Sequence, residues 1–163
     1  MADLKKTPKH LLVVDDEKGM RDLLADYLSG LGYKVTCAVS GQEALQIYKQ
    51  GNFDIILSDL LMEPMGGLEL LKNIRDINPD ALFIMITGYP SIKSSIEAMK
   101  KGANDYIIKP FELNEIKLKI ERVILEQHLH GKLRETQGIV WALIISIPVW
   151  LALGIILARM FIK

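Results

Sequence analysis

Short apolar runs alternate with longer amphipathic stretches from Leu11 to about Leu125. The first run is Leu11 to Val14, and apolar residues at helical spacing follow it until Gly32. Four more runs are separated by amphipathic stretches that end at glycine, asparagine or proline. The pattern predicts strands at residues 11–14, 34–39, 53–58, 82–86 and 105–108, each followed by a helix.

Strands that alternate with helices form a parallel sheet with helices on both of its faces. The predicted strands are almost continuously apolar, as in Ile55-Ile56-Leu57, which is typical of strands that are covered on both faces. The sequence therefore predicts an α/β domain with a doubly wound, five-stranded parallel sheet.

Polar residues follow four of the five predicted strands directly. The first strand leads to Asp15 and Asp16, the third to Asp59, the fourth to Thr87 and the fifth to Lys109. Open parallel sheets bind ligands in the crevice at the carboxyl ends of their strands. We therefore expect three carboxylates, a hydroxyl and an ammonium group to converge there.

This set of side chains indicates a particular chemistry. Clustered carboxylates repel one another unless a cation joins them, and ligands that are all hard oxygens favour Mg²⁺ over zinc or copper. A carboxylate is also a competent nucleophile toward a phosphoryl group, whose spreading charge an ammonium group and a hydroxyl stabilise. The residue types suit transfer of a phosphoryl group onto an aspartate.

The chain resembles the receiver domains of bacterial two-component response regulators from residue 11 to about residue 125. The resemblance rests on the order and spacing of four motifs, which are LLVVDDE (Leu11 to Glu17), DIILSDL (Asp54 to Leu60), FIMITGY (Phe83 to Tyr89) and DYIIKPF (Asp105 to Phe111). It implies a flavodoxin-like sheet with strand order 2-1-3-4-5. It also implies that Asp59 is the phosphoacceptor and that the domain signals without being an enzyme, beyond phosphorylating and dephosphorylating itself.

Further roles follow from the same resemblance. Asp16 and Asp59 would hold Mg²⁺, with Asp15 acting directly or through water and with the backbone carbonyl of Leu61 as a further ligand. Thr87 would bind a phosphoryl oxygen, and Lys109 would pair with the phosphoryl group, or with Asp59 before phosphorylation. The Lys109–Pro110 peptide bond would be cis. Tyr106 would be the aromatic residue whose rotamer follows the state of Thr87.

Taken singly, these residues have simpler explanations. Asp15 and Asp16 are also suited to cap the following helix, Thr87 is also suited to cap a loop, and Tyr106 is also consistent with plain packing in a strand. His10, His128 and His130 do not have the spacing of a metal site, and we expect all three to be solvated.

The loop after Asp59 departs from the family's pattern. The family usually has proline four residues after the acceptor, whereas Glu63 stands there and Pro64 follows, and Gly67 keeps the expected glycine. The bulk of Leu61 and Tyr89, which would flank the acceptor, predicts a long-lived aspartyl phosphate because both side chains hinder an attacking water.

Residues 139–158 form a run of 20 residues without a charge, which as a helix spans about 30 Å, the thickness of the bilayer hydrocarbon. We expect a single transmembrane helix; the alternative is a helix that docks on the domain or on a partner. More basic residues precede the run than follow it, which favours an inner-membrane protein with its receiver domain in the cytoplasm. The predicted organisation is an N-terminal tail (1–10), a receiver domain (11–125), a helical stalk or linker (126–137) and a membrane anchor with a short tail (138–163).

Charge and cysteine content exclude other classes. The 18 basic and 20 acidic residues before Gly138 argue against a nucleic-acid partner. Cys37 is the only cysteine, so an intrachain disulfide or a zinc site of several cysteines is excluded.

The predicted function is that of a membrane-tethered phosphoacceptor, which a histidine kinase or phosphotransfer protein phosphorylates on Asp59. Because the remaining residues leave little room for an output domain, we expect signalling through protein contacts. These include a homodimer through helix 4, strand 5 and helix 5 or through the membrane helix. The alternatives are a membrane adaptor that needs no phosphorylation and, less well supported, an aspartyl-phosphate phosphatase of another doubly wound fold.

Overall fold

The computed structural model describes residues 9–129, which form five strands and five helices. The strands are β1 (His10–Val14), β2 (Lys34–Ala38), β3 (Ile55–Asp59), β4 (Leu82–Thr87) and β5 (Asp105–Ile108). The helices are α1 (Lys18–Gly30), α2 (Gly41–Gln50), α3 (Gly67–Ile77), α4 (Ile92–Lys100) and α5, which is helical from residue 113 to residue 129, the last one described.

All four strand pairings are parallel, and the strands lie in the order β2-β1-β3-β4-β5. The predicted fold class and strand order are therefore confirmed. In this order the chain moves from β1 to one edge of the sheet and then across to the other. Right-handed crossovers consequently place α1 on the opposite face from α2, α3 and α4.

The central strands are buried on both faces, and alternate residues contribute to two separate layers. Leu12 and Val14 belong to a core cluster with buried residues of α2, α3 and α4, among them Leu70, and with Phe83 of β4. The intervening strand residues point to the other face, where α1 and α5 pack. The buried helical residues on that side are Leu24, Leu28, Ile116, Ile120 and Val123.

The structure shifts two predicted boundaries at the functional edge. Asp59 and Thr87 are the last residues of β3 and β4, not the first residues after them. At its other end β3 begins only at Ile55, because the backbone and side chain of Asp54 are both engaged with His10. The functional side chains therefore project from regular, buried strand ends, where the backbone is fixed by ladder hydrogen bonds.

Lys9 and Asp54 form an ion pair at the amino ends of the strands, which is called the amino edge of the sheet below. The ammonium group of Lys9 lies 2.6 Å from Asp54 Oδ1, and the backbone N–H of His10 donates to Asp54 Oδ2 at 2.8 Å. These two donors lower the pKa of Asp54 below its usual value, although partial burial acts in the opposite direction.

The expectation that His10 is solvated is wrong. Its ring is half-buried, with Nε2 2.8 Å from Thr36 Oγ1 and with Nδ1–H donating to the carbonyl of Asn52 at 3.0 Å. The ring centroid lies 4.2 Å from that of Phe53. His10 therefore ties β1 to β2 and to the segment before β3.

The predicted membrane helix at residues 139–158 lies outside the described residues. Between residues 9 and 129, no helix has both the length and the apolar character needed to cross a bilayer. The chain divides into two compact units between Val123 and Ile124, and the sheet belongs to the first.

Candidate phosphoacceptor site

Lys109 lies between two carboxylates at the carboxyl edge of the sheet. Its ammonium nitrogen is 2.7 Å from Asp15 Oδ2 and 2.8 Å from Asp59 Oδ1. The three side chains come from residues at the ends of β1, β3 and β5, and all are mostly buried, with side-chain exposures of 3%, 9% and 18% for Asp15, Asp59 and Lys109. The structure thus brings together three of the five residues that the strand-end pattern singled out.

Backbone donors hold the remaining carboxylate oxygens. The N–H of Glu17 donates to Asp15 Oδ1 at 2.9 Å, and the N–H of Leu61 donates to Asp59 Oδ2 at 2.7 Å. Both bonds reach two residues along the chain, as in Asx turns. Each carboxylate is therefore oriented by its own loop and is directed toward Lys109 from its strand.

The electrostatics of this site oppose the charge on Asp59. Burial raises the pKa of the Asp59 carboxyl, and the nearby charge of Asp15 raises it further, so that the bonds from Lys109 and Leu61 do not restore the usual value. The pKa of Lys109 is also raised, because its bonds to Asp15 and Asp59 outweigh the effect of burial. The ammonium group of Lys109 therefore stays charged between the two carboxylates, whereas the negative charge of Asp59 is poorly compensated.

Asp16 and Leu61 take no part in the side-chain bridge that Lys109 forms between Asp15 and Asp59. Asp16 is exposed, and its carboxylate makes no polar contact among residues 9–129. The Leu61 side chain is 54% exposed, and its backbone contact with Asp59 is made by the N–H. Within the described part of the chain, no group of three or more acidic, histidine or cysteine side chains is already arranged around a metal position.

The residues nevertheless fit a hard divalent cation. Lys109 contributes one positive charge, whereas Asp15, Asp16 and Asp59 contribute three negative charges at one edge of the sheet. Two negative charges remain, and burial and the charge of Asp15 both raise the pKa of Asp59. All available donors are oxygens, the ligand type that Mg²⁺ prefers.

Thr87 lies at the same edge, fully buried at the end of β4. Its hydroxyl accepts a hydrogen bond from the N–H of Tyr89 at 3.1 Å, and its carbonyl accepts one from the N–H of Lys109 at 2.7 Å. Thr87 therefore lies beside the strand that delivers Lys109, while its hydroxyl is engaged with its own loop. The Tyr89 side chain is 77% exposed.

Tyr106 connects β5 to the beginning of α4. Its hydroxyl lies 3.1 Å from Ser94 Oγ, and Ser94 forms a reciprocal capping box with Ser91 at the first turn of that helix. Sequence reasoning missed these two serines as partners of Tyr106. The signal that could have found them is the Ser-x-x-Ser spacing before an amphipathic stretch.

Gly67 permits a close approach of the backbone at Asp59. A Cβ atom at this position would lie 2.3 Å from the carbonyl oxygen of Asp59 and 2.7 Å from Met85 Sδ, distances that no side chain tolerates. The N–H of Gly67 also donates to the carbonyl of Leu60 at 3.0 Å. The Lys109–Pro110 peptide bond is cis, as predicted, and Glu63–Pro64 is cis as well.

Comparisons with known proteins agree with this geometry. A family model described as the response regulator receiver domain matches residues 11–121. The transcriptional regulatory protein ZraR of Escherichia coli (strain K12) is 36% identical over 118 residues, which are 72% of this chain and 27% of ZraR. The chain therefore corresponds to about a quarter of the length of that relative.

Solved structures show the same fold. A CheY-like receiver domain protein from Methanospirillum hungatei JF-1 superposes with a TM-score of 0.74 at 32% identity, covering 77% of this chain and all of that one. The beryllofluoride-activated NtrC4 receiver domain, which is a dimer in solution, gives a TM-score of 0.69 at 32% identity and covers 72% of this chain and 98% of that one. Fold, site geometry and family match agree, and the chain belongs to the response regulator receiver domains of two-component systems.

Proposed function

We propose that this chain is a phosphoacceptor receiver, phosphorylated on Asp59 by a histidine kinase or a phosphotransfer protein. The observation that carries the proposal is the position of Lys109, which lies 2.8 Å from Asp59 and 2.7 Å from Asp15 at the carboxyl edge of the sheet. This arrangement supplies a buried carboxylate nucleophile and a fixed ammonium group beside it.

In the proposed reaction a carboxylate oxygen of Asp59 attacks the phosphorus atom of the donor. The bond between phosphorus and the donor's leaving atom breaks, and the bonding electron pair departs with that atom. Lys109 then moves its hydrogen bond from the carboxylate to a phosphoryl oxygen. Bound Mg²⁺, held by Asp16, Asp59 and the Leu61 carbonyl with Asp15 close by, would supply two positive charges to neutralise the phosphoryl oxygens.

The proposed switch begins at Thr87. Its hydroxyl exchanges the N–H of Tyr89 for a phosphoryl oxygen, and Tyr106 responds by changing its rotamer. Because the Tyr106 hydroxyl contacts the Ser91–Ser94 capping box, its movement alters the first turn of α4. The signal would therefore leave the site through α4.

Output through contacts of α4, β5 and α5 is supported by exposed apolar side chains on these elements. They are Ile92 (82% exposed), Ile96, Met99, Ile108 and Leu118. The NtrC4 receiver is a dimer when activated. We propose that the present chain forms a dimer too, and that it does so through the surface of α4, β5 and α5. The 14 basic and 18 acidic residues between positions 9 and 129 favour protein partners over nucleic acid.

The uncharged run at residues 139–158 supports a membrane tether. We place the receiver domain on the cytoplasmic side of the inner membrane, where the kinase and its phosphoryl donor are found. Carbonate extraction of cell membranes tests this: the full chain stays in the pellet and a chain truncated after residue 137 is released. Release of the full chain would contradict the tether without affecting the phosphoacceptor function.

The direct test of the phosphoacceptor function is loading with acetyl phosphate in Mg²⁺, followed by intact-mass measurement. The wild type gains the mass of one phosphoryl group and Asp59→Asn gains nothing. The matched control is Asp54→Asn, which removes a carboxylate from the residue just before the same strand and keeps the mass gain. A wild type that stays unmodified, while it still binds its cellular partner, would favour the phosphorylation-independent adaptor.

A further inference from the structure

We propose that Arg21 is a positioning residue that orients the Asp15–Asp16 pair for the divalent cation; this inference rests on the proposed function. Arg21 lies in the second turn of α1, and its Nη1 donates to the backbone carbonyl of Asp15 at 2.7 Å. The bond reaches back six residues, from the helix to the loop that carries both carboxylates.

The charge of Arg21 also acts on a side chain of β2. Burial raises the pKa of the Cys37 thiol on β2, and the charge of Arg21 opposes this rise. Arg21 is half-buried. It is therefore not a solvated surface cation but part of the packing around the end of β1.

A fixed carbonyl at position 15 restrains the backbone from which both carboxylates project. The peptide unit that joins Asp15 to Asp16 is planar, so a hydrogen bond to its oxygen restrains the two Cα atoms on either side of it. Asp15 has further restraints, since Glu17 N–H and Lys109 hold its carboxylate. Asp16 has no polar side-chain contact in the described region, so its direction depends on the backbone that the Arg21 bond and the turn from Asp15 to Glu17 restrain.

Positioning and simple electrostatics predict opposite signs. If Arg21 acted only as a nearby positive charge, its removal would strengthen Mg²⁺ binding, because one repulsive cation would be gone. If it orients the pair, its removal weakens binding, because the two carboxylates must be ordered when the ion arrives. A purely structural residue would lower the stability of the metal-free protein without changing the dissociation constant of the folded fraction.

The experiment is a calorimetric Mg²⁺ titration of the full chain, solubilised in detergent, with the metal-free denaturation midpoint measured alongside. Arg21→Met is expected to weaken Mg²⁺ binding about tenfold, which is the scale of one charge-assisted hydrogen bond. Arg21→Lys keeps the charge and one donor and is expected to recover part of the affinity. The matched control is Lys18→Met, which removes the same charge from a side chain of α1 that is 79% exposed, and it should bind Mg²⁺ as the wild type does or slightly more tightly.

The outcomes separate the two claims. Wild-type affinity in both Arg21→Met and Arg21→Lys, or tighter binding in Arg21→Met, would overturn the positioning role and leave the proposed function intact. A wild type that binds no Mg²⁺ would overturn the metal-dependent function and this inference with it. If Arg21→Met does not fold, the comparison of Arg21→Lys with Lys18→Met decides the question alone.

Discussion

Two aspartates at opposite ends of β3 are each paired with a lysine, but their environments have opposite effects. At the amino edge, Asp54 accepts from Lys9 and from a backbone N–H, and its pKa is lowered. At the carboxyl edge, Asp59 accepts from Lys109 and also from a backbone N–H, and its pKa is raised. The type and number of direct donors are the same, so they do not explain the difference.

Burial and sharing of the cation explain it. Asp54 is about a third exposed and has Lys9 to itself, whereas Asp59 is nearly buried and shares Lys109 with a second carboxylate. Both factors disfavour the ionised form of Asp59. The amino edge therefore stabilises the folded domain, while the carboxyl edge keeps a negative charge that a divalent cation can compensate.

The largest expected effect comes from replacing Lys109 by methionine, with the same change at Lys9 as the comparison. Lys109→Met should slow loading of Asp59 by acetyl phosphate about 100-fold, the usual loss for one pre-oriented electrostatic donor. Lys9→Met, the matched change at the amino edge, should leave the rate unchanged. The measurement is the initial rate of phosphoprotein formation by intact mass. Equal rates in the two variants would show that the two edges do not differ in function.

A second test concerns the packing behind Asp59. Gly67→Ala should lower the free energy of unfolding by about 2 kcal/mol, because its methyl group must displace the Asp59 backbone or Met85. The control is Gly30→Ala, where no atom lies within 4 Å of the added Cβ, and it should be neutral or slightly stabilising. Denaturant unfolding measures both. A Gly67→Ala protein as stable as the wild type would mean that the acceptor strand is not confined in this way.

Neutralising each aspartate should change stability in opposite directions. Asp59→Asn is expected to raise the free energy of unfolding at pH 7, since an ionised group with a raised pKa destabilises the folded state. This gain should disappear as the pH falls through the pKa of Asp59, which lies above 3.8, because the wild-type carboxyl then becomes neutral too.

Asp54→Asn should lower the free energy of unfolding at pH 7, by only a few tenths of a kcal/mol because water screens this partly exposed pair. Its contribution is present above pH 3.8, the ordinary value, and is lost as the pH falls through the lowered pKa of the folded state. Unfolding curves at several pH values measure both variants. Changes of the same sign at pH 7 would contradict the contrast between the two edges.

The smallest expected effect concerns the lifetime of the phosphorylated state. Leu61 and Tyr89 are exposed, and the proposal that they flank Asp59 predicts that their bulk hinders an attacking water. Leu61→Asn should shorten the half-life of the phosphorylated protein in Mg²⁺ roughly several-fold, because water then reaches the aspartyl phosphate more easily. A half-life that is unchanged or longer would remove side-chain bulk as the cause.

The fold was predictable because its signals are local and agree with one another. Five apolar runs, each followed by a helical period, determine the α/β class, and the family resemblance supplies the strand order. The strand ends were less accurate, since Asp59 and Thr87 belong to their strands. In the sequence, a polar residue at the buried end of a strand resembles the first residue of a loop. The type of the residue does not show whether its backbone makes the hydrogen bonds of the sheet.

The site was predictable as a set of residues but not as a network. Strand-end reasoning brought Asp15, Asp59 and Lys109 together, yet nothing in it showed that Lys109 would bridge the two carboxylates while Asp16 stays exposed. The contacts of His10 and of Tyr106 with Ser94 were also missed, since they join residues that are distant in the chain. Such contacts depend on side-chain rotamers, which residue type and spacing do not specify.

A pH titration of the carboxyl carbon signals of Asp54 and Asp59 by NMR, with and without Mg²⁺, tests the central contrast most directly. Asp59 is expected to titrate above the ordinary aspartate value and to shift downward when Mg²⁺ is added. Asp54 is expected to titrate below that value and to ignore the ion. If Asp59 titrates at or below Asp54, or if Mg²⁺ leaves its titration unchanged, the carboxyl edge does not hold the uncompensated charge on which the proposed chemistry depends.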